Sequence, residues 1–455
     1  MNKSRVFEIA QELKPVMDEA AGFIWNNPEL GGFEKKSSEY LKNILIKEGF
    51  RIKTIPEMPY AFMAEFGSGK PVVALLGEYD ALPGLNQKVS VMKEADLPGE
   101  AGHGCGHNLI GTASMTAAIT VKRWMEEKGI NGTIRFYGCP EEELLVGKVK
   151  MVYYDFFNGT DAAITWHPMT SNQVYEGGAL ASTSMKFFFK GISSHASVAP
   201  EKGRSALDAA ELMNIGANYL REHIIDKARV HYTTECGNTP PNRVHDKAQN
   251  WYYVRAPHVS DVREISERVI KCAEGASHMT ETEVEVRVES GTCEVITSKS
   301  FADLIYRNMN ETDLPDFTDE ELEFAKKIQD TCDPESVNRE KKIFGTEDSP
   351  MMRTVGDRYL YKDAPLTAST DVGDVSFTVP LCMFASACWP VGTAPHTWQV
   401  TSVNGTSIAH KGAFYAAKVM AASASEILEN PEIADTLKKE FEEIRDPQYK
   451  PVYFP

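Results

Sequence analysis

The densest chemistry in the chain is Gly102-His103-Gly104-Cys105-Gly106-His107-Asn108, a thiol and two imidazoles on a glycine-rich turn. Cys and His are the donors that zinc and related divalent ions prefer. A buried Cys in a tight turn gives the same short pattern, so the segment alone leaves ligation and packing both open. Glu141-Glu142-Glu143 follows an apolar run. Three adjacent carboxylates repel one another unless a cation or solvent intervenes; beside an ion, one can ligate while its neighbour takes a proton from water. His167 in TWHP and His396 in PHTWQ each offer a neutral imidazole from another loop, or serve as hydrogen-bonded structural residues. His195 in GISSHAS, Asn242 in PPNRV and Arg255 in VRAP lie in a stretch of different texture. They are either turn and surface residues or the groups that hold a substrate carbonyl and carboxylate, for which Arg offers a bidentate fork.

These groups need a frame. Pro71–Leu76, Thr133–Gly138 and Ala162–Trp166 read as buried parallel strands, with a helix over Thr112–Lys128 between the first two. Each strand runs straight into polar residues: Gly77-Glu78-Tyr79-Asp80, then Cys139-Pro140 and the acidic run, then His167-Pro168. In open α/β sheets ligands bind beyond the carboxyl ends of the strands, which is where these side chains gather. From Thr183 onward the pattern becomes β-α-β-β-α-β, with Asp261 as the expected N-cap of the second helix. The expected architecture is α/β: a mixed, mostly parallel sheet flanked by helices, carrying an inserted ferredoxin-like α+β domain. The boundaries are 1–180 for the first part of the main domain, 181–293 for the insert and 294–455 for the return, with hinges near Gly178 and Gly291.

Composition narrows the partners. The 455 residues are 42% hydrophobic and 25% charged, which fits a folded globular chain. Lys and Arg number 48 against 65 Asp and Glu, a net charge of −17 without a basic block, so neither nucleic acid nor an anionic membrane surface is an expected partner. No run approaches the roughly 18 apolar residues that cross a bilayer. The first residues place Ile9, Leu13, Val16, Ala20 and Ile24 at helical spacing, an amphipathic helix and not a signal peptide, so a cytoplasmic location is expected. Eight cysteines scattered singly read as reduced thiols, one of them a metal ligand.

Eight segments occur in one fixed order: GEYDALPG (77–84), GHGCGHN (102–108), CPEEE (139–143), WHP (166–168), GISSHAS (191–197), RSALDAAELM (204–213), STDVGDVS (369–376) and PHTWQ (395–399). Together they make the chain resemble the dinuclear metallopeptidase and amidohydrolase superfamily of glutamate carboxypeptidases, aminoacylases and indole-acetyl-amino-acid hydrolases, nearest to the branch that holds the B subunits of p-aminobenzoyl-glutamate hydrolases. The resemblance implies two divalent ions per subunit, zinc or manganese, and an inserted lid that also mediates homodimerisation. It implies Cys105 as a bridging ligand, His107 and His167 completing one ion, and Glu143 and His396 completing the other. Glu142 is then the general base, and Asp80 orients a ligand. His195 stabilises the oxyanion from the second subunit, while Asn242 and Arg255 contact the substrate. Other branches have a His two residues before the Asp, where this chain has Glu78, so His107 is left to stand in for it. Leu144-Leu145 replace the family's usual Gly-Gly. The implied reaction is hydrolysis of an N-acyl amino acid with a free carboxylate, such as p-aminobenzoyl-glutamate. The alternatives are a dipeptidase or aminoacylase of other selectivity, a hydrolytic deaminase, or a non-catalytic member of a pair with a homologous partner.

Overall fold

The computed structural model describes residues 3–346, 348–360 and 368–451. The chain divides into two units. In the first, a sheet is built from β1 (Arg51–Ile55), β2 (Met58–Ser68), β3 (Val72–Glu78), β4 (Gly132–Cys139), β5 (Ala162–Met169) and β6 (Gln173–Val174). The second unit holds β7 (Ala181–Lys190), β8 (Arg229–Glu235), β9 (Lys247–Ala256) and β10 (Glu283–Thr292), after which β11 (Leu381–Ala387) rejoins the first. The seven-stranded order is β1-β2-β4-β3-β5-β11-β6. Its centre is parallel, through β4–β3, β3–β5 and β5–β11, while β1, β2 and β6 pair antiparallel at the edges. Every residue of β3 and β11 is buried, as expected of parallel strands covered on both faces.

Helices α1 (Ser4–Asn26), α2 (Lys35–Lys47) and α3 (His107–Lys128) contribute to the large core of this unit, together with Ser407–Glu429. On α1 the apolar stripe is Val6, Ile9, Leu13, Met17, Ala20 and Ile24; Val16, read from the sequence as part of it, is partly exposed because Met17 continues the stripe instead. Most of α3 is buried, and its threonine hydroxyls are satisfied within the helix while Ser114 donates to the Leu76 carbonyl of β3. Thr112, Thr116 and Thr120 each donate to the carbonyl four residues back at 2.8 Å. A buried helix of that kind can begin at a chemical site without exposing polar atoms elsewhere.

The second unit is an antiparallel sheet, β10-β7-β9-β8, packed against α5 (Ala206–Leu220) and α6 (Val259–Thr280), α4 (Gly147–Tyr153) belonging to the first unit. Met185, Phe187, Tyr252 and Val254 alternate inward to meet Met213, Ile265 and Val269. Ser205 caps α5 by accepting the Asp208 N–H. Asp261 does not cap α6: the helix starts two residues earlier at Val259, behind His258, and Asp261 lies in its first turn, where its charge favours the helix dipole. Gly291, where a hinge was expected, is a paired residue near the end of β10, opposite Thr183. The unit spans Ala179–Val295, slightly more than the sequence reading gave it, and takes in a short return ending at Asp374. Leu180 N–H to Ala368 O, Thr292 Oγ1 to Thr370 O at 2.8 Å and Cys293 N–H to Asp374 at 3.1 Å tie that return to it.

Candidate metal centre

Five segments of the first unit converge at the carboxyl ends of β3, β4 and β5. Asp80 follows β3, Glu142 and Glu143 follow β4 in a single 3₁₀ turn, His167 lies on β5, Cys105 and His107 lead into α3, and His396 lies just ahead of the helix Trp398–Asn404. Gly106 makes the approach of α3 feasible. Its φ of 82° suits glycine, and a Cβ there would fall 2.6 Å from the Pro168 ring beside His167. The acidic turn is framed by two left-handed non-glycine residues, Glu141 (φ 61°) and Leu145 (φ 56°), and His396 has the same strained conformation (φ 61°). Such strain concentrates where surrounding structure fixes a functional side chain. Leu145 thus adopts a conformation glycine takes freely. Leu144 projects partly into solvent beside Gly31.

Two donor triads share one atom. Cys105, His107 and His167 form the first and Cys105, Glu143 and His396 the second, each with its donor atoms within 4.8 Å of one another. Cys105 Sγ lies 3.4 Å from His167 Nε2, and His396 Nε2 lies 3.5 Å from Glu143 Oε2. His107 Nδ1 is 2.7 Å from Asp80 Oδ1, while Asp80 Oδ2 accepts the Glu143 N–H at 2.8 Å. Asp80 therefore holds one donor residue of each triad, the arrangement seen behind metal-binding imidazoles in general. His167 Nδ1 bonds the Pro168 carbonyl at 2.8 Å, which leaves Nε2 turned to the thiol.

The residues fit a pair of divalent ions. His107 Nε2 and Glu143 Oε1 are buried without a hydrogen-bond partner, a costly arrangement that a cation resolves. The donors are one sulfur, three imidazole nitrogens and a carboxylate, the set that borderline ions take. The electrostatics agree. Burial pushes Glu142 up to about 8, with Glu78 adding to the rise, and Glu143 up to about 7. Burial pushes the Cys105 thiol up as well. Burial opposes ionisation of His107, yet Asp80 and Cys105 hold it well above the ordinary range. His167 is pushed down to about 4, by burial and then by His107, which keeps its imidazole neutral and able to ligate. A region this rich in unsatisfied negative charge is the kind that positive ions neutralise.

The other sequence candidates fall elsewhere. His103, the second imidazole of the glycine-rich turn, is structural: its Nε2 contacts the Ile24 carbonyl at 3.1 Å, and burial, then His107, push it down to about 3. His195, Asn242 and Arg255 belong to the second unit. There the Asn242 carbonyl accepts the Ala196 N–H at 2.9 Å, so the His195 and Asn242 segments run side by side, and His195 is exposed. Arg255 lies on β9 with Nη1 2.8 Å from Ser369 Oγ.

Glu34 and Lys148 escaped the sequence reading. Glu34 is fully buried, accepts the Glu141 N–H at 2.7 Å and has one oxygen without a partner. It thus holds the strained residue ahead of the acidic turn. Burial, then Asp80, push it up to about 8. A carboxyl raised in the folded state keeps its proton, so its contribution is full at low pH and is lost as pH rises to 8, by about 1.4 kcal/mol per unit. Glu34→Gln is neutral at every pH. It is expected to match the wild-type Tm near pH 5 and exceed it near pH 8; equal Tm values at both would show that Glu34 carries no proton.

No protein-family model matches the chain. Curated relatives do. The B subunit of the p-aminobenzoyl-glutamate hydrolase of Escherichia coli (strain K12) is 43% identical over 441 residues, covering 93% of this chain and 92% of that protein. The Xaa-Arg dipeptidase of Mus musculus is 26% identical over 458 residues, covering 96% of this chain and 92% of that one. Among solved structures, the Bacillus subtilis YXEP protein, a dinuclear metal binding peptidase from the M20 family, superposes with a TM-score of 0.61 at 17% identity, covering 92% of this chain and 99% of its own. Identity above two fifths along nearly the whole of two chains shows common family membership, and this protein belongs to the M20 family of metal-dependent peptidases and amidohydrolases.

Proposed function

We propose that the protein hydrolyses the amide bond of N-acyl amino acids bearing a free carboxylate, with aromatic acyl-glutamates such as p-aminobenzoyl-glutamate as its substrates. The observation that carries the reaction is the pair of donor triads sharing Cys105, with Glu142 buried beside them. The 43% identity to one subunit of a p-aminobenzoyl-glutamate hydrolase supports the substrate.

Cys105 would be shared by the two ions, with His107 and His167 holding one and Glu143 and His396 the other. When bound, zinc or manganese would supply Lewis-acid polarisation of the amide carbonyl and a lowered pKa of water. Asp80 orients His107 and fixes the Glu143 backbone. Glu142 removes a proton from the attacking water and delivers it to the departing amine nitrogen, so one carboxyl serves as base and then as acid. The partner subunit's His195, in a homodimer, donates to the developing oxyanion, a class of contact worth about 10²–10³ in rate. Asn242 binds the substrate carbonyl, and Arg255 binds its terminal carboxylate through two parallel N–H bonds. The second unit acts as lid and dimerisation domain. We place the protein in the cytoplasm, and no described helix is long and apolar enough to cross a membrane.

The deciding experiment is steady-state hydrolysis by metal-defined protein of p-aminobenzoyl-glutamate, Xaa-Arg dipeptides and other acyl-amino acids, with and without chelator. Chelator-sensitive release of glutamate is expected. A second reading, a dipeptidase, has the mouse relative behind it and wins if only dipeptides are cleaved. Hydrolysis appearing only when a homologous subunit is added would recast the chain as one half of a pair. Arg255→Ala is expected to raise KM for carboxylate substrates with little change in kcat, and an unchanged KM would remove it from the carboxylate site.

A further inference from the structure

Lys148 has no exposed surface, yet it carries a charge to the edge of the metal centre. Its Nζ lies 2.7 Å from Glu78 Oε1, and Glu78 is itself almost inaccessible. Gly147 makes this approach feasible. A Cβ there would fall 1.7 Å from the Pro140 carbonyl oxygen, so α4 starts in direct contact with the loop that carries the acidic turn. A buried ion pair is a poor device for stability alone, because desolvating both ions offsets much of their attraction and apolar residues of similar volume serve as well. Its position says more. Glu78 Oε2 faces His107 Nε2 at 3.5 Å. With His107 Nδ1 bonded to Asp80, Nε2 is the ring nitrogen left without a partner. A carboxylate oxygen and an unpartnered ring nitrogen facing each other in a buried gap are satisfied together by a cation. Glu78, His107 and Glu142 indeed form a third group of donors within 4.8 Å of one another.

On the reading of Cys105, His107, Glu143, His167 and His396 as a dinuclear centre, we infer that Glu78 is a further oxygen donor on the His107 side, and that Lys148 is its positioning residue. By binding Oε1, Lys148 leaves Oε2 alone directed at His107. Its charge also offsets one of several carboxylates crowded into the same space. The arrangement supplies, from an acid and a base on separate elements, a donor at the position where the sequence lacks an imidazole.

The test is titration of metal-free protein with Co²⁺, whose visible absorption reports the number and type of its ligands, in wild type, Glu78→Gln, Lys148→Met, Glu78→Gln/Lys148→Met and the apolar pair Glu78→Leu/Lys148→Met. Wild type is expected to take two ions. Glu78→Gln should bind one of them about 10–100-fold more weakly, with an altered spectrum. Lys148→Met should alter the spectrum when Glu78 is present and change nothing further in the Glu78→Gln background. The apolar pair should keep a wild-type-like Tm and show the same loss of one ion; if it does not fold, Glu78→Gln decides alone. Wild-type affinity and spectrum in Glu78→Gln would overturn the ligand role, and an unchanged spectrum in Lys148→Met would overturn the positioning role. A wild-type protein that fails to take two ions would overturn the dinuclear centre itself, an outcome distinct from the other two.

Discussion

Glu142→Ala is expected to lower kcat about 10²–10⁴-fold while both ions remain bound, the range spanned by general acid–base groups. The expectation rests on position. Glu142 belongs to neither triad that shares Cys105, and its Oε2 lies 3.8 Å from His107 Nε2, beside the proposed centre but not among its five principal donors. Burial and Glu78 raise its carboxyl to about 8, and a group that titrates near neutral pH can both take and return a proton there. Kinetics and metal content measured on the same preparation check it. Retained turnover would remove the proposed base, and loss of an ion together with turnover would make Glu142 a ligand.

Cys105→Ala should have an effect of a different kind: loss of both ions and turnover reduced to background. Cys105 is the donor common to the two triads, whereas His396 serves one, so His396→Ala is expected to keep a single tightly held ion. Stability follows occupancy. A ligand bound only to the folded state adds about 2.7 kcal/mol at a hundred times its Kd. Chelator should therefore lower the wild-type Tm clearly and leave that of Cys105→Ala almost unmoved. Two ions retained in Cys105→Ala would show that the thiol is packing and not a bridge.

Much of this site was legible because its residues stand at strand ends. The apolar runs read at 71–76, 133–138 and 162–166 correspond to β3, β4 and β5, and the polar residues that follow them converge as open α/β sheets require. The alternation of Phe187 and Phe189, and the helical stripe through Met213 and Ala217, carried the second unit in the same way. The antiparallel edge of β1 and β2 was not read, since the mixed polarity of Arg51–Ile55 resembles a loop until β2 is beside it. Lys148 and Lys150 look equivalent in the sequence. One pairs with buried Glu78 and the other with Glu141, a difference set by where Gly147 lets α4 begin. Glu34 went unread, and Glu78 was read at its strand end without its burial, for the same reason: only tertiary packing decides that a carboxylate loses water. The hydrogen bonds that tie the return ending at Asp374 to the second unit were not legible, because bonds that span about eighty residues leave no local pattern.

The position of β11 has a consequence for how the chain is made. It lies between β5 and β6, yet more than two hundred residues separate it from β5, and all four strands of the second unit are synthesised in the interval. As the polypeptide emerges from the ribosome, the first half of the sheet must wait with β5 unpaired on one side, an open edge of buried-type residues that invites association with other chains. The second unit, contiguous apart from its short return, has most of its pairings within reach during that interval. Closure of the slot then delivers His396 almost immediately afterwards, so the last ligand arrives with the last strand. On the proposed donor set, ion binding waits for synthesis past His396, and a nascent chain stalled before Leu381 would lack that donor and leave β5 with an unprotected edge.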